Sequence, residues 1–308
     1  MTAAQIDVVH IGSASRDLTA DDPRGWRLGG GVTYAALTTA RLGLRTAALV
    51  VVDAGASSAD ELDLLRGAGV ELELVRLAEG PVFDNRETPT GREQICHAVG
   101  RPLAIPTLPA SWIEATAWSL VPVAGEVDDD WVNAVPSDAV LALGWQGLLR
   151  HLVAGDRVER RPPTPSELVR RADVVGVSAH DLAPGIDIFA LSRFLHPGAR
   201  LLVTDGRSGG TAIRVGDDGP LGSVRYLSAT VRREVDPTGA GDVFLAAVLA
   251  TVVDLGIAGG GRDGFAGRGL DLEFAAIAGA LVVEGPGLSA VPMREAVLAR
   301  RARGGLEA

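Results

Sequence analysis

The 308-residue chain contains no lysine, and all 29 of its basic residues are arginine. That excludes chemistry built on a lysine amine: Schiff-base formation, pyridoxal phosphate anchoring and the lysine of a Walker-type phosphate loop. Phosphate, if handled here, must be met by backbone amides, arginine or metal. Cysteine is nearly as scarce. Cys96 is the only one, so an internal disulfide and a cysteine-based zinc or iron–sulfur site are excluded. The histidines at 10, 97, 151, 180 and 196 show no metal-ligand spacing and read as surface or satisfied core residues. Long apolar runs are missing as well. Residues 244–253 and 275–283 fall short of the roughly 18 to 20 residues that a membrane span requires, and residues 1–10 lack a signal-peptide pattern. A cytoplasmic location without a membrane partner is expected. A net charge of −10 argues against a nucleic-acid partner, because the phosphate field would repel the protein.

The remainder is 47% hydrophobic and 22% charged, with 39 Gly and 17 Pro, the make-up of a globular protein with a large core. Residues 5–12 read as a buried strand, 31–43 as a helix and 45–52 as a second strand. Residues 59–68 read as a helix, 70–77 and 139–143 as strands, and 165–172 as a helix opened by Thr164-Pro165. Strands at 173–177 and 201–204 follow, then helices at 241–254, 272–283 and 293–303. Short apolar strands alternating with helices predict an α/β fold, a mainly parallel sheet covered on both faces. Two polar stretches, 18–28 and 81–99, break the alternation and fit short strands standing off that sheet. No linker divides the chain, so 1–308 is expected to form one domain.

The strongest local signal is Asp236-Pro237-Thr238-Gly239-Ala240-Gly241-Asp242, running directly into an apolar helix. Small residues at 239–241 let a ligand oxygen reach backbone N–H groups, and the helix points its positive end at the same spot. Asp242 falls in the first turn, beside the place where a transferring phosphoryl group would sit. An ordinary glycine-rich helix start, with Asp242 serving the macrodipole, is the alternative for a bare G-x-G-D. Gly259-Gly260-Gly261-Arg262-Asp263-Gly264 satisfies G-x-G-x-x-G, yet it follows a helix where a dinucleotide fingerprint follows a strand, and it reads as a loop.

Residues 236–242 resemble the D-x-T-G-A-G-D signature of the ribokinase-like (PfkB) family of carbohydrate and nucleoside kinases. Three further segments share that resemblance: Gly29-Gly30-Gly31 leading a helix to Arg41-Leu42-Gly43, Gly12 to Asp17 after the first strand, and Thr204-Asp205-Gly206-Arg207-Ser208-Gly209. Their order spans essentially the whole chain. The resemblance implies a three-layer α/β/α fold with a small β lid, formed by about 13–28 and 80–100 and shortened in its first half. It implies transfer of the γ-phosphoryl group of ATP, with magnesium, to a hydroxyl of a sugar or polyol. Asp242 would accept the hydroxyl proton, while Gly239, Ala240 and Gly241 steady the phosphoryl oxygens. At a helix N-terminus that carboxylate is expected to be a weak base.

On the same footing Asp17, Gly29, Gly30 and Tyr34 would contact the acceptor, together with Asn85, Arg92 and Gln94 of the lid. Thr204, Gly206, Gly209, Thr238 and Ala276 would contact the nucleotide. Asp181 would hold magnesium through water, and Asp236 with Ser289 would wrap a monovalent cation such as K+. The plainer readings are a turn-forming Asp17, a core-filling Tyr34 and a solvated lid hairpin. The chain departs from the family at Tyr34, where Asn is usual, at Ser178 in the N-x-x-E segment, and at Ala276, where a polar residue usually meets adenine. A nucleoside acceptor, which Tyr34 could help by stacking, and a catalytically silent ligand-binding relative are the rival functions. Either a monomer or a homodimer is compatible.

Overall fold

The computed structural model of the chain describes residues 5–88, 91–254, 265 and 269–304. The glycine string at 259–264 lies outside the described residues. The chain runs β1 (Val8–Ser13), β2 (Ser15–Leu18), β3 (Trp26–Gly29), α1 (Gly31–Arg41), β4 (Thr46–Val52), α2 (Glu61–Gly67) and β5 (Glu71–Arg76). Next come β6 (Val82–Thr88), β7 (Gly91–Ala98), α3 (Ala110–Ile113), β8 (Ala117–Leu120), β9 (Val140–Gly144), β10 (Arg150–His151), β11 (Glu159–Arg160) and α4 (Glu167–Arg171). β12 (Val174–Ser178), β13 (Arg200–Thr204), β14 (Gly210–Gly216), β15 (Gly219–Tyr226), α5 (Ala240–Asp254), α6 (Leu272–Val282) and α7 (Arg294–Arg301) complete it.

The main sheet has the order β15-β14-β13-β12-β9-β8-β1-β4-β5. The seven strands from β13 to β5 are parallel, and the β14–β15 hairpin closes one edge antiparallel. Successive strand residues point to opposite faces, and the core divides accordingly. Val140 and Ala142 of β9 join one apolar layer with α1, α5 and α6, while Leu141 and Leu143 join the other. That second layer has only short helices, and bulk fills it. Trp112, Trp118, Trp131 and Trp145 are all fully buried there. α5 is apolar almost all round because it is buried almost all round, from Val243 to Ala250 without a break.

Two elements differ from the sequence expectation. β8 has four residues, too few for a periodic signal, and the β14–β15 hairpin adds an antiparallel edge to the mainly parallel sheet that no apolar run predicts. The hairpin does carry a turn signal, Asp218-Gly219, with Gly219 at φ +125°. The start of α4 also differs: Ser166 is its N-cap, accepting the Val169 N–H at 3.2 Å, in place of the Thr164-Pro165 start.

The polar stretches form a separate four-stranded sheet, order β3-β2-β6-β7, in which β2 and β6 are parallel and both outer pairs antiparallel. Its first half is the smaller, with four-residue strands against seven and eight in β6 and β7. β2 follows β1 after the single residue Ala14, so the chain passes straight from the main sheet into this lid. Polar straps hold the lid to the body. Glu61 on α2 takes a bidentate pair from Arg24 at 2.6 and 2.8 Å and the Leu28 N–H at 3.1 Å, and Arg16 meets Asp53 at 2.8 Å. On the far side, the Val158 N–H donates to the Gln94 carbonyl at 2.8 Å. Among the described residues no helix is long and apolar enough to cross a membrane.

Candidate active site

The C-terminal ends of β1 and β8 meet the glycine turn that leads into α1, the end of the sheet where parallel α/β folds bind ligands. Gly30, between β3 and α1, holds φ +97°, and a Cβ there would run into the Ser13 carbonyl oxygen. This tight passage brings the start of α1 against two carboxylates. Asp17 lies on Gly29, its Oδ1 accepting the Ser15 hydroxyl at 2.9 Å. Asp242 lies on Gly31, where an added Cβ would stand 2.7 Å from Oδ1. The two acids therefore flank one turn.

Asp242 sits in the first turn of α5, whose leading N–H groups have no intrahelical acceptor. The expectation of a weakly basic carboxylate is overturned. Burial pushes the Asp242 carboxyl up to about 7, and the charges of Asp181 and Asp17 push the same way against the pull of the Arg150 guanidinium. Desolvation outweighs the helix-start position, and the group becomes a competent proton acceptor near neutral pH.

The loop before α5 is shaped by one contact. Gly239 holds φ +81°, and the Tyr34 ring occupies the place where its Cβ would be. Tyr34 is 2% exposed, so its ring supports the loop and is closed to stacking on a ligand. Burial, then the charges of Asp236, Asp17 and Asp242, hold its phenol well above the ordinary range, so it stays neutral. Asp236 braces the same loop, taking the Thr238 N–H on Oδ1 at 2.9 Å and the Gly287 N–H on Oδ2 at 3.3 Å.

Three side chains enter the site that the sequence reading left out. Arg150, on β10, has its guanidinium 3.4 Å from Asp181 Oδ1 and 5.8 Å from the Phe83 ring centroid, joining the lid to the body. Gln146 donates to Asp181 at 3.0 Å. Both follow the end of β9, and that position is the signal that could have found them. Arg27, on β3, is the register partner of Asp17 and lies 3.8 Å from Asp236.

Other expected site residues fall as follows. Asn85 and Gln94 face each other across the β6–β7 ladder, and the Gln94 amide donates to Asn85 Oδ1 at 2.8 Å. Arg92 pairs in register with Glu87 on the same ladder, and its side chain lies outside the description. Thr204 ends β13 beside Ser178, with Gly206 in the following turn and Gly209 at φ +83° leading into β14. Ala276 is buried on α6, one turn before Gly279, where α6 packs on the Ala240 carbonyl. The exposed Ser289 hydroxyl donates to the Pro286 carbonyl at 2.7 Å. Magnesium, implied by the resemblance, suits Asp181, a largely buried hard-oxygen donor that could reach the ion through water. Among the described residues no three His, Cys, Asp or Glu side chains gather as a metal site, so phosphate oxygens would complete the shell.

No family model matches the chain, and no curated protein matches it by sequence. Solved structures do match over nearly the full length. A pyrophosphate-dependent kinase in the ribokinase family, complexed with a pyrophosphate analogue and myo-inositol, superposes with a TM-score of 0.69 at 21% identity, over 95% of this chain and 99% of that one. Arabidopsis thaliana ribokinase, complexed with ribose and ATP, gives 0.62 at 18% identity over 96% and 98%. This chain has the ribokinase fold. The Methanocaldococcus jannaschii nucleoside kinase shares it too, at a TM-score of 0.61 and 14% identity over 98% and 100%. In this ribokinase fold Asp181 follows the C-terminal end of β12 and Asp242 opens α5, while Asp17 approaches Asp242 from β2 of the lid.

Proposed function

We propose that the protein is an ATP- and magnesium-dependent kinase that phosphorylates a hydroxyl of a sugar or polyol. The observation that carries this reading is the Asp242 carboxylate, partly buried at the start of α5 and resting on Gly31, with the charges of Arg150 and Asp17 acting on it. Asp242 orients the acceptor hydroxyl and takes its proton. The amides at Gly239, Ala240 and Gly241 hold the migrating phosphoryl oxygens, and Asp17 takes hydrogen bonds from neighbouring acceptor hydroxyls. Asp181 would hold magnesium through water, and the ion would neutralise charge on the donor.

A hydroxyl-rich acceptor suits a cleft whose side chains are carboxylates, a guanidinium and a carboxamide. The nucleoside alternative loses its sequence support, because the Tyr34 ring is committed to Gly239. For the donor, pyrophosphate is the second reading. Three matching structures are of pyrophosphate-dependent kinases, and the amide loop would recognise phosphate without reference to a base.

The test is a panel of ribose, fructose, myo-inositol and nucleosides, each with ATP or pyrophosphate, assayed for phosphate-ester formation. A sugar or cyclitol ester supports the reading, a nucleotide product overturns the acceptor class, and binding without transfer by any pair supports a silent relative.

A further inference from the structure

Asp236 anchors the loop proposed to hold the phosphoryl group, and its carboxylate carries a charge that a neighbouring cation would balance. From the position of Arg27 we infer that its guanidinium is the resident cation of this loop, so that the protein needs no monovalent metal ion. Arg27 reaches from β3 to within 3.8 Å of Asp236 Oδ2, and its Cδ lies 3.7 Å from where a Gly287 Cβ would stand. The guanidinium thus occupies the mouth of the nook between the 236–238 loop and the 287–289 turn.

The rest of the nook does not fit a metal ion. Both Asp236 oxygens already accept backbone N–H groups, from Thr238 and Gly287. The Ser289 hydroxyl is turned into the Pro286 carbonyl. A K+ ion bound to Asp236 would also face the Arg27 charge at close range, which repels it. The expected K+ pairing of Asp236 with Ser289 is therefore replaced. An arginine can take this role because its charge is permanent and its planar fork can be held by packing along the stem. It also ties the lid to the amide loop, since Arg27 is the β3 partner of Asp17.

This inference rests on the kinase reading only for its rate arm. The full-length protein is compared in KCl and in tetramethylammonium chloride at equal ionic strength, by thermal midpoint and by phosphoryl transfer to the best acceptor of the panel. The wild type is expected to show the same midpoint and the same rate in both salts. Arg27→Ala removes the cation without making a metal site, so its midpoint is expected to fall by about 2–4 °C in both salts alike. Its rate is expected to fall about tenfold or more in both salts, without recovery in K+.

Wild-type stabilisation or activation specific to K+ would overturn the inference, as would a folded Arg27→Ala protein with the wild-type midpoint and rate. Should Arg27→Ala fail to fold, the wild-type midpoint still decides. Absence of transfer from every donor to every acceptor would sink the kinase reading and leave the midpoint test standing.

Discussion

The Asp242 carboxylate rests on the Cα of Gly31, so close that a Cβ at Gly31 would stand 2.7 Å from Oδ1. The first residue of α1 thereby fixes where this carboxylate, the proposed base, can lie. Gly31→Ala is expected to displace that carboxylate and lower kcat by about 100-fold, the scale of an ångström-sized misplacement. The thermal midpoint should change little, because alanine favours the helix that begins there. Steady-state kinetics and a melting curve separate the two. A wild-type kcat in a folded variant would show that the contact does not position the base.

The pH dependence follows from the same group. With its carboxyl held up at about 7, Asp242 is protonated in acid, and kcat is expected to rise with pH through that region before levelling. Arg150 pulls this carboxyl down. Arg150→Met should therefore move the rising limb to higher pH, while a limb that stays put or moves to lower pH would contradict the pairing.

Burial of Asp242 also carries a stability cost with a definite sign. The carboxyl ionises near 3.8 ordinarily and near 7 when folded. Between those values the folded chain keeps a proton that the unfolded chain has lost, so unfolding free energy falls as pH rises across the interval. Asp242→Asn removes that cost. It is expected to exceed the wild type in stability by about 1–3 kcal/mol at about pH 8 and to match it at about pH 4. Urea unfolding at the two pH values reads the difference, and a gain confined to the acid side would refute it.

Glu126 makes a prediction about scaffolding. It is 1% exposed, and its carboxylate accepts the N–H groups of Ser13 at 2.7 Å and Ala124 at 2.8 Å, with Val123 at 3.2 Å. This clamp joins the end of β1, which leads to Asp17, to the loop after β8. Glu126→Gln turns an amide NH2 toward backbone N–H groups and is expected to cost about 1–3 kcal/mol in urea unfolding.

The fold was legible where chemistry and periodicity coincide. Residues 236–242 announce an anion-binding helix start, Gly29 to Gly31 announce a tight turn, and the apolar strand runs announce a sheet buried on both faces. β8 was not legible, because four residues of an Ala-Trp-Ser-Leu strand carry no period. Arg150 and Arg27 were missed for a different reason. A lone arginine in sequence reads as surface, and only the register of β3 with β2 and the path after β9 bring these two among the aspartates. The basicity of Asp242 was misjudged because helix position is local information and burial is not. The contact of the Tyr34 ring with Gly239 carries no sequence signal, because it depends on how α1 and the 236–241 loop meet in space.

The most direct test of the account is phosphorus NMR of the protein with donor, magnesium and the best acceptor, run for the wild type and for Asp242→Asn. The account predicts a new phosphomonoester signal that grows with the wild type and is slower by orders of magnitude with the variant, while donor affinity is retained. Equal growth in both, or a variant that has lost donor binding along with turnover, would contradict the role assigned to Asp242.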